Sequence, residues 1–298
     1  MRGLKRGCVT TIGSYDGLHL GHQALIERLG VHGQGTGLPT VLLTFEPLPR
    51  EYLQPQDPPA RLTSLRERWR ILSPGALDYL CLLRFDEALR NLSADAFAEL
   101  LARDLGARTI VVGHDFRFGR HGAATAEVLT QAGRRLGFAV DVVSAVQTGG
   151  ERISSSAVRA ALSAGDFAAA RRSLGRPWSM RGRVIRGERL GRTLGFPTAN
   201  LALERARAPV QGVFAVRVHG IGSAALPGVA SLGTRPTVAG QQALLEAHVF
   251  DFAGDLYGRE IEVEFAAKLR DEETFASLEA LTQQMHRDAS NARRMLNA

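Results

Sequence analysis

Lysine is nearly missing from this chain. Lys5 and Lys268 are the only two among 37 basic residues, and neither stands in a glycine-rich loop. No G-x-x-x-x-G-K-[ST] occurs, so phosphate chemistry of the P-loop kind is excluded. G-x-S-x-G and C-x-x-C are absent as well. Cysteine is scarce: Cys8 and Cys81 both lie in apolar, strand-like runs and read as buried, reduced thiols, which points to the cytoplasm. No apolar run approaches the roughly 20 residues that span a bilayer. The opening MRGLKRGCVTTIG passes straight from basic residues into a strand-like run, without the apolar core of a signal peptide. Aromatics make up 6% of the chain and never interleave with a basic run. The net charge of +7 therefore reads mainly as an arginine-rich solvated surface. A non-enzymatic nucleic-acid binder remains the alternative from another class, and its mark would be steeply salt-dependent binding.

What is present is enough chain, 298 residues, for two domains with separate cores. Over residues 7–164, short apolar runs (CVTTIG, PTVLLTF, LDYLCLLRF, TIVVGHDF, FAVDVVSAV) alternate with amphipathic ones. These are HQALIERL, LTSLRERWRIL, SADAFAELLARDL with Ser93 as N-cap, and ATAEVLTQAGRRL. That order predicts an α/β domain with a parallel sheet, whose ligands sit beyond the strand ends. From Met180 to Phe265 the runs are short, β-like and punctuated by turns, which predicts a small antiparallel sheet or barrel. A C-terminal helix follows, with an expected apolar stripe of Phe275, Leu278, Leu281 and Met285. The domain boundary is placed at 172–177, giving domains 1–172 and 177–298.

Four segments carry chemistry. In GSYDGLHLGH, a turn around Gly13, Ser14, Tyr15, Asp16 and Gly17 leads to His19, Gly21 and His22 at the start of a helix. Glycine lets backbone N–H groups approach an anion, the helix start adds its positive dipole end, and imidazoles donate to phosphate oxygens. A nucleoside triphosphate would suit such a place. Taken alone, the segment is more often a glycine turn with two half-exposed histidines. A zinc site would need further ligands that no cysteine or second histidine pair offers. In ISSSAVRAAL, Ser155 and Ser156 begin a helix with free N–H groups, and Arg159 lies one turn on, able to face the same anion. VGHDFRFG brings Gly113, Asp115 and Phe116 to a strand end, where an aromatic ring can stack on a planar ligand. In GRTLGFPTANL, Gly191, Gly195 and Pro197 shape a loop, and Thr198 and Asn200 share one side of an extended segment. Their hydroxyl and amide oxygens are hard donors suited to Mg²⁺ beside phosphates. Downstream, Glu246, His248 and Phe250 share one strand face, and Glu246 is a candidate general base.

The H-x-G-H segment resembles the nucleotidyltransferase superfamily. Together with FEPLPREYL, RLTSLRE, GRPWSMRGRVIRG, GVASLGTRPTV, EAHVFDFAGDLYG and KLRDEETFASLEAL, in this order, the four segments resemble the bacterial bifunctional riboflavin kinase/FAD synthetases over nearly the whole chain.

That resemblance implies an α/β Rossmann-like nucleotidyltransferase domain followed by a small antiparallel β-barrel domain with a C-terminal α-helix. The first domain would transfer AMP from ATP to FMN, giving FAD and pyrophosphate. His19 and His22 would stabilise the triphosphate, with Gly13, Ser14, Tyr15, Asp16 and Gly21 shaping the phosphate turn. Ser155, Ser156 and Arg159 would hold the pyrophosphate side, and Gly113, Asp115 and Phe116 would form part of the nucleotide or flavin pocket. The second domain would phosphorylate riboflavin, with Thr198 and Asn200 on Mg²⁺ and phosphates, Gly191, Gly195 and Pro197 in the closing loop, and Glu246 as base. Riboflavin, FMN and ATP are the implied partners, with no nucleic acid and no membrane, and with room for a weak or transient homo-oligomer. Leu48 stands where the family often has His in F-E-P-H-P, so that position is assigned no chemistry. Leu48 and the short segment after Gly119 motivate the alternative of a kinase whose first domain is a degenerate nucleotide-binding or regulatory module.

Overall fold

The computed structural model describes residues 4, 6–72, 77–187, 190–205, 207–237 and 240–297. It divides into two compact units, Met1–Pro59 with Arg68–Ser154, and Ala60–Glu67 with Ser155–Ala298.

The first unit is an α/β layer structure. In chain order its elements are β1 (Cys8–Ile12), α1 (Leu20–Thr36), β2 (Thr40–Glu46), α2 (Leu65–Leu72), β3 (Tyr79–Arg84), α3 (Ala94–Glu99), β4 (Ala107–Gly113), α4 (Ala126–Leu136) and β5 (Ala139–Val143). Residues of α2 up to Glu67 count with the second unit. The five strands are parallel, in the order β3-β2-β1-β4-β5. Every residue of the central β1 is buried, its two threonine hydroxyls donating to Val41 O and Val111 O of the neighbouring strands. The strand order reverses between β1 and β4, so the crevice beyond their C-terminal ends is the ligand position of such a sheet. Gly13 follows β1 and Gly113 ends its neighbour β4. Helix α1 runs further than the ALIERL periodicity predicts, because Gly33 lets it lie close on Thr40; a Cβ there would stand 2.5 Å from the threonine methyl. Gly37, in the left-handed region, ends it. Cys8 is fully buried, and burial pushes its thiol up to about 11. Cys81, on the edge strand β3, is half-buried rather than buried as expected.

The second unit holds α5 (Ser155–Ser163), α6 (Phe167–Leu174) and a barrel with its helix. The barrel strands are β6 (Ser179–Ile185), β7 (Ala199–Ala202), β8 (Gly212–His219), β9 (Leu226–Thr237), β10 (Gly240–Val249) and β11 (Glu260–Arg270), followed by α7 (Leu278–Leu296). The six strands close antiparallel in the order β6-β7-β10-β9-β8-β11. Met180, Leu201, Phe214, Leu245, Ala247, Val263 and Phe265 belong to one core with Val158, Leu162, Phe167 and Leu174 of the two helices. Leu62 joins that core, and the Trp178 indole donates to its carbonyl at 3.2 Å. Glu67 accepts from Arg205, from the Arg181 N–H at 2.8 Å and from the Ser64 N–H at 2.6 Å, while Ser64 Oγ caps the Glu67 N–H.

The C-terminal helix corrects the expected stripe. It starts only at Leu278, behind the Ser277 cap, so Phe275 lies outside it under the Arg270 guanidinium. Leu278 is 56% exposed, and the buried face is Asp288, Ala292 and Leu296. Arg270 Nε and Nη2 both reach the Asp288 carboxylate, at 2.9 Å each, and Gln284 donates to it at 2.9 Å.

Candidate active sites

The turn after β1 is built under constraint. The Gly13 N–H donates to Leu43 O at 3.1 Å, continuing the sheet by one step. Tyr15 (φ 50°) and Leu18 (φ 46°) then adopt left-handed backbone, as does Gly17 (φ 84°). For the two side-chain-bearing residues this costs on the order of 1–3 kcal/mol each. Complete burial holds both in place, and the Tyr15 hydroxyl is bonded to Thr11 Oγ1, which itself donates to Val111 O at 2.8 Å. Burial pushes the Tyr15 phenol far above its ordinary range, so it stays protonated.

His19 caps α1, its Nδ1 accepting from the His22 N–H at 3.3 Å. That acceptor role places the neutral ring's proton on Nε2. The two imidazoles stack with centroids 3.7 Å apart, and Tyr15 lies 4.9 Å from His22. Burial lowers His19 to about 4 against the opposing pull of Asp16, and burial, with His19 and Arg68 beside it, also holds His22 well below its ordinary range. Both rings are therefore neutral at pH 7. His22 Nδ1 is buried without a hydrogen-bond partner, and Gly21 must be small because a Cβ would stand 3.2 Å from the His19 ring. Asp16 is buried, and Asp115, beyond Gly113, acts electrostatically on His19 and is paired with Arg152. Phe116 stacks on Phe118, 5.6 Å away and 16° from parallel. The sequence reading thus placed His19, His22, Gly13 to Asp16, Gly21, Gly113, Asp115 and Phe116 at the ends of two adjacent strands. It missed Arg68, buried at 1% exposure, which donates to Ser14 O and Thr44 Oγ1. A shallow cleft of about 360 Å³ beside Arg28, Val31 and Asp141, on another side of α1, contains none of these residues.

In the second unit, Ser155, Ser156 and Arg159 lie on α5, and Arg159 Nε donates to Ala60 O at 2.6 Å. On the barrel, Asn200 and Glu246 stand directly opposite each other on β7 and β10, and Glu246 faces Ser231 on its other side. Directly paired side chains have Cβ atoms about 4.5–5.5 Å apart on one face. The alternation holds: Leu245, Ala247 and Val249 point into the core, whereas Phe250 packs against Ala292 and Leu296 of α7. Thr198 is half-buried and Asn200 buried. The preceding loop closes on Gly191, whose carbonyl accepts from the Phe196 N–H at 2.7 Å and whose Cβ, if present, would stand 2.4 Å from Phe196 O. Gly195 is left-handed, φ 83°. His248 Nδ1 is 2.9 Å from Pro197 O and so donates to it. A Cβ at Gly187 would lie 2.5 Å from the Asn200 amide, so this glycine forms a cradle for that side chain, which the sequence reading also missed.

One group of candidate residues thus gathers at the switch point of a parallel sheet and another on a small closed barrel. Residues 2–157 match the family model for FAD synthetase and residues 174–296 that for riboflavin kinase. The bifunctional riboflavin kinase/FMN adenylyltransferase of Escherichia coli K12 is 46% identical over 97% of this chain and 93% of its own. That of Pseudomonas fluorescens is also 46% identical, over the same shares, and that of Haemophilus influenzae 40%, over 98% and 96%. This chain belongs to the family of bifunctional riboflavin kinase/FMN adenylyltransferases. A crystal structure described as a macrolide-efflux protein from Streptococcus pneumoniae superposes with a TM-score of 0.80 at 33% identity, over 96% of this chain and 93% of that one. Among the described residues no helix is long and apolar enough to cross a membrane.

Proposed function

We propose that this chain makes FAD from riboflavin in two steps at two separate sites. Residues 177–298 transfer the γ-phosphoryl of ATP to riboflavin, and residues 1–172 join AMP from a second ATP to the FMN phosphate, releasing pyrophosphate. The observation that carries the reading is the coexistence, in one chain, of the neutral His19–His22 pair at a strand-end turn and the facing Asn200–Glu246 pair on the barrel. At the first site, the Nε2–H of His19, His22 and the backbone of Gly13–Gly21 bind the triphosphate and stabilise charge as it develops at the α-phosphate. Because both rings stay neutral, their hydrogen-bonding state does not change across the physiological pH range. Asp115 and Phe116 border the nucleotide or flavin pocket. The start of α5, with Ser155, Ser156 and Arg159, binds phosphate.

At the second site, Thr198 and Asn200 fit Mg²⁺: they offer hard oxygens, and the Gly187 cradle leaves room for the amide. The ion would neutralise charge on the nucleotide phosphates when bound. Gly191, Gly195 and Pro197 set the loop over the nucleotide, and Glu246 takes the proton of the attacking hydroxyl. The protein acts in the cytoplasm on riboflavin, FMN and ATP, without nucleic acid or membrane, as a monomer or a weak homo-oligomer. Glu246→Gln tests the assignment. It should abolish riboflavin phosphorylation while FMN is still converted to FAD; a folded variant that keeps its kinase rate contradicts it.

A further inference from the structure

Among the buried ionisable groups, Arg68 stands out: its side chain is fully buried, and the chemistry above does not use it. Isolated burial of a guanidinium costs several kcal/mol unless its donors are placed well. Here Nη1 donates to Ser14 O (3.0 Å) and Thr44 Oγ1 (3.2 Å), and Nη2 to Glu46 Oε2 (3.1 Å). Thr44 Oγ1 in turn donates to Ser14 O at 3.3 Å. The Ser14 carbonyl belongs to the peptide plane whose rotation sets φ of Tyr15, the residue held at 50°. The ring of that tyrosine meets His22.

We propose that Arg68 is a positioning residue for adenylyl transfer: by holding the Ser14 carbonyl it fixes the strained turn whose Tyr15 ring packs on His22. This rests on the reading of His19 and His22 as the adenylyl-transfer pair. The groups that face His22 are the Tyr15 phenol, the His19 ring and Arg68, with Glu46 acting through Arg68. Lysine keeps the charge but lacks the planar fork that spans Ser14, Thr44 and Glu46.

The test uses the full-length chain. Arg68→Met should slow conversion of FMN to FAD by about 30-fold or more, the scale of a lost preorganising contact, with riboflavin phosphorylation unchanged. Arg68→Lys should recover part of the loss. Histidine NMR provides a readout that a merely structural arginine would not move. In Arg68→Met the His22 titration rises, whereas in Glu46→Gln, which leaves the cation uncompensated, it stays or falls. Arg68→Met with wild-type FAD formation, or both variants moving His22 the same way, overturns the proposal. If Arg68→Met does not fold, Thr44→Val removes the hydroxyl shared by Ser14 and Arg68, and an unchanged rate there overturns it equally. Should His19→Ala itself retain FAD formation, the underlying site reading fails; if only Arg68→Met is active, this inference alone fails.

Discussion

The imidazoles of His19 and His22 lie stacked 3.7 Å apart and 15° from parallel, with the backbone N–H of one bonded to Nδ1 of the other. Two protonated rings could not be held so close, and burial lowers each ring below its ordinary range, so both are neutral at pH 7. Left-handed backbone at Tyr15, Gly17 and Leu18 after β1 places the pair at the mouth of the sheet, and the capped start of α1 fixes their spacing.

Removing the first ring should separate the two activities. His19→Ala is expected to lower FMN adenylylation by about 100-fold or more, the usual scale for a lost oxyanion-type donor. Phosphorylation of riboflavin by the same preparation should stay within about twofold, since the barrel residues are untouched. Separate assays on riboflavin and on FMN check this.

Stability should fall in mild acid, with a sign set by His19. Its folded value of about 4 lies below the ordinary 6.5, so the unfolded chain binds more protons between those values. The contribution is complete above 6.5 and is lost as pH drops toward 4, by about 3 kcal/mol for the one group. His22 acts in the same direction. His19→Asn keeps an N-cap acceptor but does not titrate, so its urea midpoint should depend less on pH than the wild-type midpoint does.

Gly187→Ala places a methyl group where the Asn200 amide now lies. Overpacking of this kind costs about 1–3 kcal/mol when the neighbour cannot yield. Here the yielding atom is a proposed Mg²⁺ ligand. The expected result is a higher Mg²⁺ requirement and a slower kinase, with adenylylation from supplied FMN unaffected.

Asp288→Ala should destabilise the second unit by about 3–5 kcal/mol, because it leaves the Arg270 guanidinium half-buried without its carboxylate. Chemical denaturation followed by the fluorescence of the barrel residue Trp178 measures it. Leu278→Ala, at an exposed position of the same helix, should change stability little.

Much of this molecule is legible in its sequence. Apolar runs at β1 and β4 gave the parallel sheet, and the alternation at Leu245–Val249 placed Glu246 on the face opposite the core. The H-x-G-H turn and the P-T-A-N segment stand out in the sequence because glycine and proline fix backbone locally. What stayed hidden depends on distant partners. Arg68 sits in an arginine-rich amphipathic stretch and reads as a surface cation; its burial is decided by Ser14, Thr44 and Glu46, far away in the chain. Gly187 carries no signal until Asn200 folds over it. The start of α7 was read too early because Phe275 keeps the helical spacing, while Ser277, whose side chain accepts from the Ala280 N–H, begins the helix later.

The most direct measurement is a time course of wild-type protein with riboflavin, ATP and Mg²⁺, the flavins being separated by chromatography. FMN should appear first and then give way to FAD with release of pyrophosphate. Folded protein that stops at FMN would contradict the role given to His19 and His22, and protein that forms neither flavin would contradict the two-site account as a whole.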